Sequence, residues 1–302
     1  MSAELAARTR GAVADATGAR PLPADFALEW RAWRWVGVWR GRCAVFAAPN
    51  EHSRRKLQIE GAVLETLQGR MSFRIPRVLL ASDRGDIQVR SMVPGVQITE
   101  LDPDRGMDNP LLSRELARDV GLAYGELHRA INVEEARALG VPARSEFSEI
   151  DGVVKRLSDA LAGHGQREFL FAAAAKLKEL PAGHEFLSFT HGDPWGGNFA
   201  VDEQTGRLNG LFDFDETAID DWHCDLRYLY SFGREFRQHA ESAYAEATGN
   251  RPSTERTAIY HALSAFLALD RELMRDESIH LDRRTKWVER CVRNLGAEVL
   301  GE

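Results

Sequence analysis

The chain has 302 residues, 44% hydrophobic and 28% charged, with a formal net charge of −7. That length suits two lobes better than one core, and the acidic balance argues against general nucleic-acid binding, which needs a basic face. No apolar run approaches the roughly 18 residues of a membrane span, and the first 20 residues hold no compact apolar stretch of the signal-peptide kind, so a cytoplasmic protein without a membrane partner is expected.

Residues 3–16 read as a short helix ended by Gly18 and the Pro21–Pro23 pair. Residues 26–48 crowd Trp30, Trp33, Trp35 and Trp39 with valines and break at Gly37 and Gly41, a pattern of two or three antiparallel strands. The tryptophans suit either sheet core and edge or a stacking platform. Cys43, Cys224 and Cys291 are too scattered for a disulfide framework or a zinc site.

Residues 51–68 read as a helix capped by Asn50 or Ser53, with Leu57, Leu64 and Leu67 on one stripe. Glu60 falls on that stripe, and a carboxylate on an inward face needs a partner. Residues 75–80 and 86–93 read as strands around the turn Ser82-Asp83-Arg84-Gly85. Val93-Pro94-Gly95 marks a break, which places the lobe boundary at residue 94. Ser113 caps a helix carrying Leu116, Val120, Ala123 and Leu127, and residues 147–180, 223–248 and 255–298 continue in helical pattern.

The stretch 186–215 is the exception. It reads His191-Gly192-Asp193-Pro194-Trp195-Gly196-Gly197-Asn198, then Phe199-Ala200-Val201, then Leu208 to Phe214. The last two segments form the arms of a hairpin turning within Asp202 to Gly206. Folding there sets Asn198 roughly opposite Leu211, so Asn198 and Asp213 lie at the same end, beside a glycine-rich loop holding Asp193. Hard oxygen donors so clustered suit Mg²⁺ together with phosphate oxygens. The His-x-Asp-x-x-x-x-Asn spacing, followed by a metal-binding Asp on the next arm, is that of the protein-kinase catalytic loop.

With these motifs the chain resembles the aminoglycoside phosphotransferase and choline-kinase-like family. The resemblance rests on residues 191–198, on Phe212-Asp213-Phe214-Asp215 through Asp225-Leu226, and on the hinge-like Ser91-Met92-Val93-Pro94-Gly95. It implies an α+β, bilobal protein-kinase-like fold: an antiparallel-sheet N-lobe over residues 1–94 and a mainly helical C-lobe over 95–302, with catalytic loop 191–198 and metal hairpin 199–215. It further implies phosphoryl transfer from ATP or GTP to a small-molecule hydroxyl. Asp193 would be the catalytic base or the carboxylate that orients the hydroxyl, Asn198 and Asp213 the Mg²⁺ ligands, and Ser91 and Val93 backbone contacts to the nucleotide base. Glu60 would be the helix carboxylate on the nucleotide side. Asp225 and His191 would brace the loop, and Asp215 would lie near the metal or in solvent.

The family's strand lysine is missing. Alignment puts Ala47 there, and the only lysine before residue 155 is Lys56, on the helix of Glu60. Three readings follow: an arginine from a neighbouring strand (Arg34, Arg40 or Arg42) replaces it; backbone and magnesium hold the phosphates alone; or the protein binds nucleotide without transferring, as a regulatory pseudokinase. Gly37 and Gly41 are the only candidates for a glycine-rich phosphate loop. For the acceptor, Glu235, Asp270, Glu272, Asp276 and Glu277 either line a site for a cation such as an aminoglycoside or form a solvated helix face. Neither the Rossmann nor the P-loop glycine fingerprint is present.

Overall fold

The computed structural model describes residues 2–19, 21–22, 27–98, 112–145, 147–161, 164–275 and 280–300. Asp276, Glu277 and Pro23 lie outside the described residues. Helix α1 (Ala3–Thr17) begins where the Ser2 hydroxyl accepts from the Leu5 amide and stops at Gly18 in the left-handed region. The tryptophan-rich stretch then forms β1 (Glu29–Arg31), β2 (Arg34–Trp39) and β3 (Cys43–Ala47). After α2 (Glu51–Leu67), strands β4 (Val78–Ala81) and β5 (Ile87–Ser91) complete an antiparallel sheet in the order β1-β2-β3-β5-β4. The expected strand at 75–80 starts only at Val78. Pro76 has no N–H for a ladder, and the Arg77 amide donates to the Ser91 hydroxyl instead.

Strand side chains alternate between faces. Cys43, Val45, Ala47, Ile87 and Val89 point to one face, buried against Ala12 and Val13 of α1. A paired ion link between Arg8 and Asp86, at 2.8 and 2.7 Å, pins α1 there. Arg34, Phe46, Gln88 and Arg90 point to the other face, toward α2, where the Gln88 amide donates to the Leu57 carbonyl at 2.9 Å. Leu57, Glu60, Leu64 and Leu67 are all buried, so the stripe read from the sequence is the packed face of α2.

The remainder is helical around two small sheets. One joins β6 (Val96–Gln97), β8 (Phe199–Val201) and β9 (Leu208–Leu211); the other pairs β7 (Leu187–Thr190) with β10 (Ala218–Asp221). Helix α3 (Arg114–Ala130), capped by Ser113, packs against α8 (Arg234–Thr248). Gly121 permits that approach, since a Cβ there would stand 2.0 Å from the Ala240 carbonyl oxygen. Helices α4 (Val133–Ala138), α5 (Ile150–Ala160), α6 (His164–Glu179), α7 (His223–Leu226), α9 (Thr254–Leu273) and α10 (Leu281–Leu300) supply the rest. The helical reading of 255–298 thus resolves into two helices, α9 and α10, packed together. The architecture is α+β, with an antiparallel sheet in the N-terminal part and helices in the C-terminal part.

Candidate active site

The loop from β7 to β8 is held from below. Asp225, fully buried, accepts the His191 amide at 2.8 Å and the Gly192 amide at 2.9 Å, and its Oδ2 meets His128 Nε2 at 3.0 Å. His128 Nδ1 in turn contacts the Tyr244 hydroxyl at 3.0 Å, linking the loop to α3 and α8. Burial opposes the Asp225 charge, but His128, His191 and the amides hold its carboxyl below the ordinary range. Gly192 has φ +85°, and a Cβ on it would lie 2.0 Å from the Glu216 carbonyl oxygen, so the turn requires glycine. His191 is fully buried; its Nδ1 accepts from the Asp193 amide at 3.3 Å and its Nε2 bonds the Phe212 carbonyl at 3.1 Å. Burial lowers its pKa, so this ring is a neutral strut.

Asp193 projects half-buried from the loop, its Oδ1 accepting from the Tyr228 hydroxyl at 2.8 Å. Burial pushes its carboxyl up to about 7 against the opposing pull of Tyr228 and Arg227, with Asp213 and Glu216 adding to the rise. Asn198 donates its amide nitrogen to the Asp193 carbonyl at 2.7 Å, a bond that does not use its Oδ1. The hairpin register is one residue from expectation: Leu211 pairs with Phe199, and the Phe212 amide bonds the Asn198 carbonyl at 3.1 Å. Asp213 follows at once with φ +67°, a conformation few residues other than glycine adopt, and its side chain is 41% exposed.

Arg34 meets this end of the hairpin from β2. Its Nη1 donates to Glu60 at 2.6 Å, its Nη2 lies 2.5 Å from Asp213 Oδ1 and 3.5 Å from Asp215, and it is 4% exposed. Burial works against its charge, yet Glu60, Asp215 and Asp213 together raise its pKa. Arg90 also pairs with Glu60, and both guanidiniums stack on the Phe46 ring, at 4.6 Å for Arg34 and 4.3 Å for Arg90. Glu60 therefore has two cationic partners. The two-residue period of β3 turns Ala47 toward α1, and Phe46 is the residue on the Glu60 side. Of the three candidate arginines, Arg34 makes the contact. Asp215, which accepts from Trp33 Nε1 at 3.0 Å, is raised to about 7 by burial and by Asp213, against Arg34.

Burial opposes the Glu60 charge, but Arg34 and Arg90 outweigh it and hold the carboxyl down to about 2. An unfolded glutamate titrates near ~4.3. The pairing therefore stabilises the fold fully above that value and is lost as pH falls toward 2. Glu60→Gln is expected to flatten acid-side stability, measured as denaturant midpoints between neutral pH and acid. An unchanged acid profile would remove Glu60 from the account.

Residues 6–262 match a family described as the phosphotransferase enzyme family. The chain belongs to that family. Among solved structures, the GDP complex of wild-type aminoglycoside 2'-phosphotransferase-IIIa is 16% identical with a TM-score of 0.72, covering 97% of this chain and 99% of that one. The macrolide 2'-phosphotransferase MphH of Brachybacterium faecium is 18% identical with a TM-score of 0.67, covering 91% and 96%. A streptomycin–ATP–APH(2")-IIa ternary complex gives 14% and 0.65, covering 100% and 96%. No curated protein matches. At these identities the structures establish the fold: this chain has the aminoglycoside phosphotransferase kinase-like fold.

A cavity of about 840 Å³ opens beside Asp193 and Glu216. Of the acidic residues read as either a cation site or a solvated helix face, the described ones, Glu235, Asp270 and Glu272, do not line it. Asp270 is buried against Arg156 at 2.9 and 2.7 Å, Glu272 is buried against Arg275 and the His280 amide, and Glu235 pairs with Arg114. Arginines line it instead, chiefly from α9 and α10 and the turn between them. The Ser91 amide donates to the Arg77 carbonyl at 2.9 Å. Val93 is half-buried beside Gly210. The sequence reading missed Tyr228, Arg90 and Glu216, the last bonded to Arg144 at 2.7 Å and to Lys56 at 3.4 Å. Tyr228 and Arg90 come to the site from segments that no local motif marks, and Glu216, although within the 212–226 motif, takes its partners Arg144 and Lys56 from far along the chain.

Proposed function

We propose that the protein transfers the γ-phosphoryl group of ATP or GTP to a hydroxyl of a small molecule. The observation that carries this is the grouping of the Asp193 carboxylate, the Asn198 amide oxygen and the half-open Asp213 carboxylate on one loop-and-hairpin unit, with Asp193 lining a cavity of about 840 Å³. In the reaction the acceptor oxygen bonds the γ-phosphorus, the bridging O–P bond breaks, the nucleoside diphosphate leaves, and the hydroxyl proton passes to Asp193. Burial suits Asp193 to that task, since it lifts the carboxyl toward the range where a base both accepts and releases a proton. Transfer of this kind depends on positioning and charge neutralisation rather than covalent chemistry.

Magnesium fits the donors. Among the described residues no three His, Cys, Asp or Glu side chains form a closed metal cluster. One amide oxygen and one carboxylate suit an ion that completes its shell with phosphate oxygens and water. Asn198 and Asp213 would hold it, and it would supply charge neutralisation on the phosphates. The Ser91 carbonyl and the Val93 backbone would receive the base. Arg34 would take the part of the family lysine, paired with Glu60 and turned toward the phosphates. With that cation in place, Ala47 no longer argues for a regulatory pseudokinase. No described helix is long and apolar enough to cross a membrane, and the three buried thiols, none in a disulfide, suit a reducing, cytoplasmic setting.

Calorimetric titration with ATP and with GTP, each with and without Mg²⁺, is expected to show magnesium-dependent binding of at least one. No binding of either at millimolar concentration would sink the phosphotransfer reading.

A further inference from the structure

The wall of the cavity facing Asp193 is built from like charges. Arg271 lies on α9, Arg275 just beyond it, and Arg283, Arg284 and Arg290 on α10. Among the described residues, the only carboxylates lining the same space are Asp193 and Glu216, and Glu216 is already bonded to Arg144 and Lys56. Arg275 has a partial match in Glu272 at 3.3 Å, with Arg275 itself 62% exposed. The Nε atoms of Arg284 and Arg290 are buried with no hydrogen-bond acceptor among the described residues. Leaving such charge-bearing donors unpaired is costly.

The neighbourhood registers the excess. Burial lowers the Arg284 pKa, and Arg283 and Arg275 lower it further against Glu272 and Asp193. His261, also on the wall, is pushed down to about 3 by burial and then by Arg227, Arg290 and Arg237. Composition does not explain the concentration, because the whole chain carries a net charge of −7. The match to the family stops at residue 262, before the first of these five arginines.

We propose that the acceptor is an anion: a small hydroxyl compound carrying a phosphate or carboxylate, with the negative group taken by Arg284 and Arg290 and the hydroxyl at Asp193. This rests on the phosphotransfer reading. Planar guanidiniums are suited to forked bonds with such oxygens. The cavity volume is that of a small-molecule site. A polycationic acceptor would enter against the field of the same arginines.

The test is calorimetry on the full chain, first alone and then saturated with Mg²⁺ and a non-hydrolysable nucleotide, so that phosphate cannot be counted at the nucleotide site. The probes are glycerol 3-phosphate, glycerol and kanamycin. Glycerol 3-phosphate is expected to bind in both states, more tightly than either other probe and less tightly as salt rises. The double variant Arg284→Gln/Arg290→Gln is expected to weaken it about tenfold or more, from the loss of charge-assisted bonds. Arg284→Lys/Arg290→Lys, which keeps the charge, should fall between and guards against a misfolded glutamine variant. Kanamycin binding more tightly than glycerol 3-phosphate overturns the proposal, as does equal affinity of the wild type and a folded glutamine variant for the phosphate ester. Failure of the nucleotide to bind would instead count against phosphotransfer, while the titration without nucleotide still reads the arginine wall.

Discussion

Asp193→Asn is expected to lower phosphoryl transfer by about 10²- to 10⁴-fold while magnesium–nucleotide binding persists. The substitution is close to isosteric. The new side-chain oxygen still accepts from the Tyr228 hydroxyl, and the backbone carbonyl still receives the Asn198 amide nitrogen, so the loop keeps its shape. Only the ability to accept a proton goes. Single-turnover transfer and nucleotide titration on the same preparation separate the two effects. Transfer at the wild-type rate would remove Asp193 from the chemistry, whereas a parallel loss of nucleotide affinity would make it a structural member of the loop.

Arg34→Met is expected to cost about 3–5 kcal/mol of unfolding free energy, the usual result of breaking a buried ion pair from one side, and to weaken nucleotide binding as well. Arg34 is 4% exposed and is shared by Glu60 on α2 and by Asp213 and Asp215 beyond the hairpin. Its removal leaves Asp213 and Asp215 facing each other, and Asp215 is already pushed up by that neighbour. Arg90 would still hold Glu60. Arg34→Lys should be intermediate, since a single ammonium reaches one side of the bridge where the guanidinium spans both. Denaturant unfolding with and without nucleotide measures both terms. If the methionine variant is as stable as the wild type, the bridge contributes nothing net.

Much of this was legible along the chain, and the limit was set by distance in sequence. The Asn50 and Ser113 caps, the α2 stripe and the hairpin after Asn198 are local, so spacing alone locates them. Glu60 on an apolar stripe also announced that it needed a partner. Which partner it took was another matter: Arg34 and Arg90 reach it through the register of three strands, which turns Ala47 to the opposite face. Tyr228 lies 35 positions from Asp193 and touches it only because α7 and the helical turn after it fold back over the loop. For the acidic residues of α9 the sequence left a cation site and a solvated face open, because it gives charge without partners; Asp270 and Glu272 are in fact buried against Arg156 and Arg275.

The division of labour between the hairpin and the last two helices bears on how such an enzyme diversifies. The loop carrying Asp193 is anchored downward, through Asp225, His128 and Tyr244, into α3 and α8. The arginine wall stands on α9 and α10, whose buried residues form a separate cluster with α5 and α6. Under the anionic-acceptor proposal, substitutions on that wall would change which acceptor is preferred while the hydrogen bonds that hold the Asp193 loop to α3 and α8 stay in place.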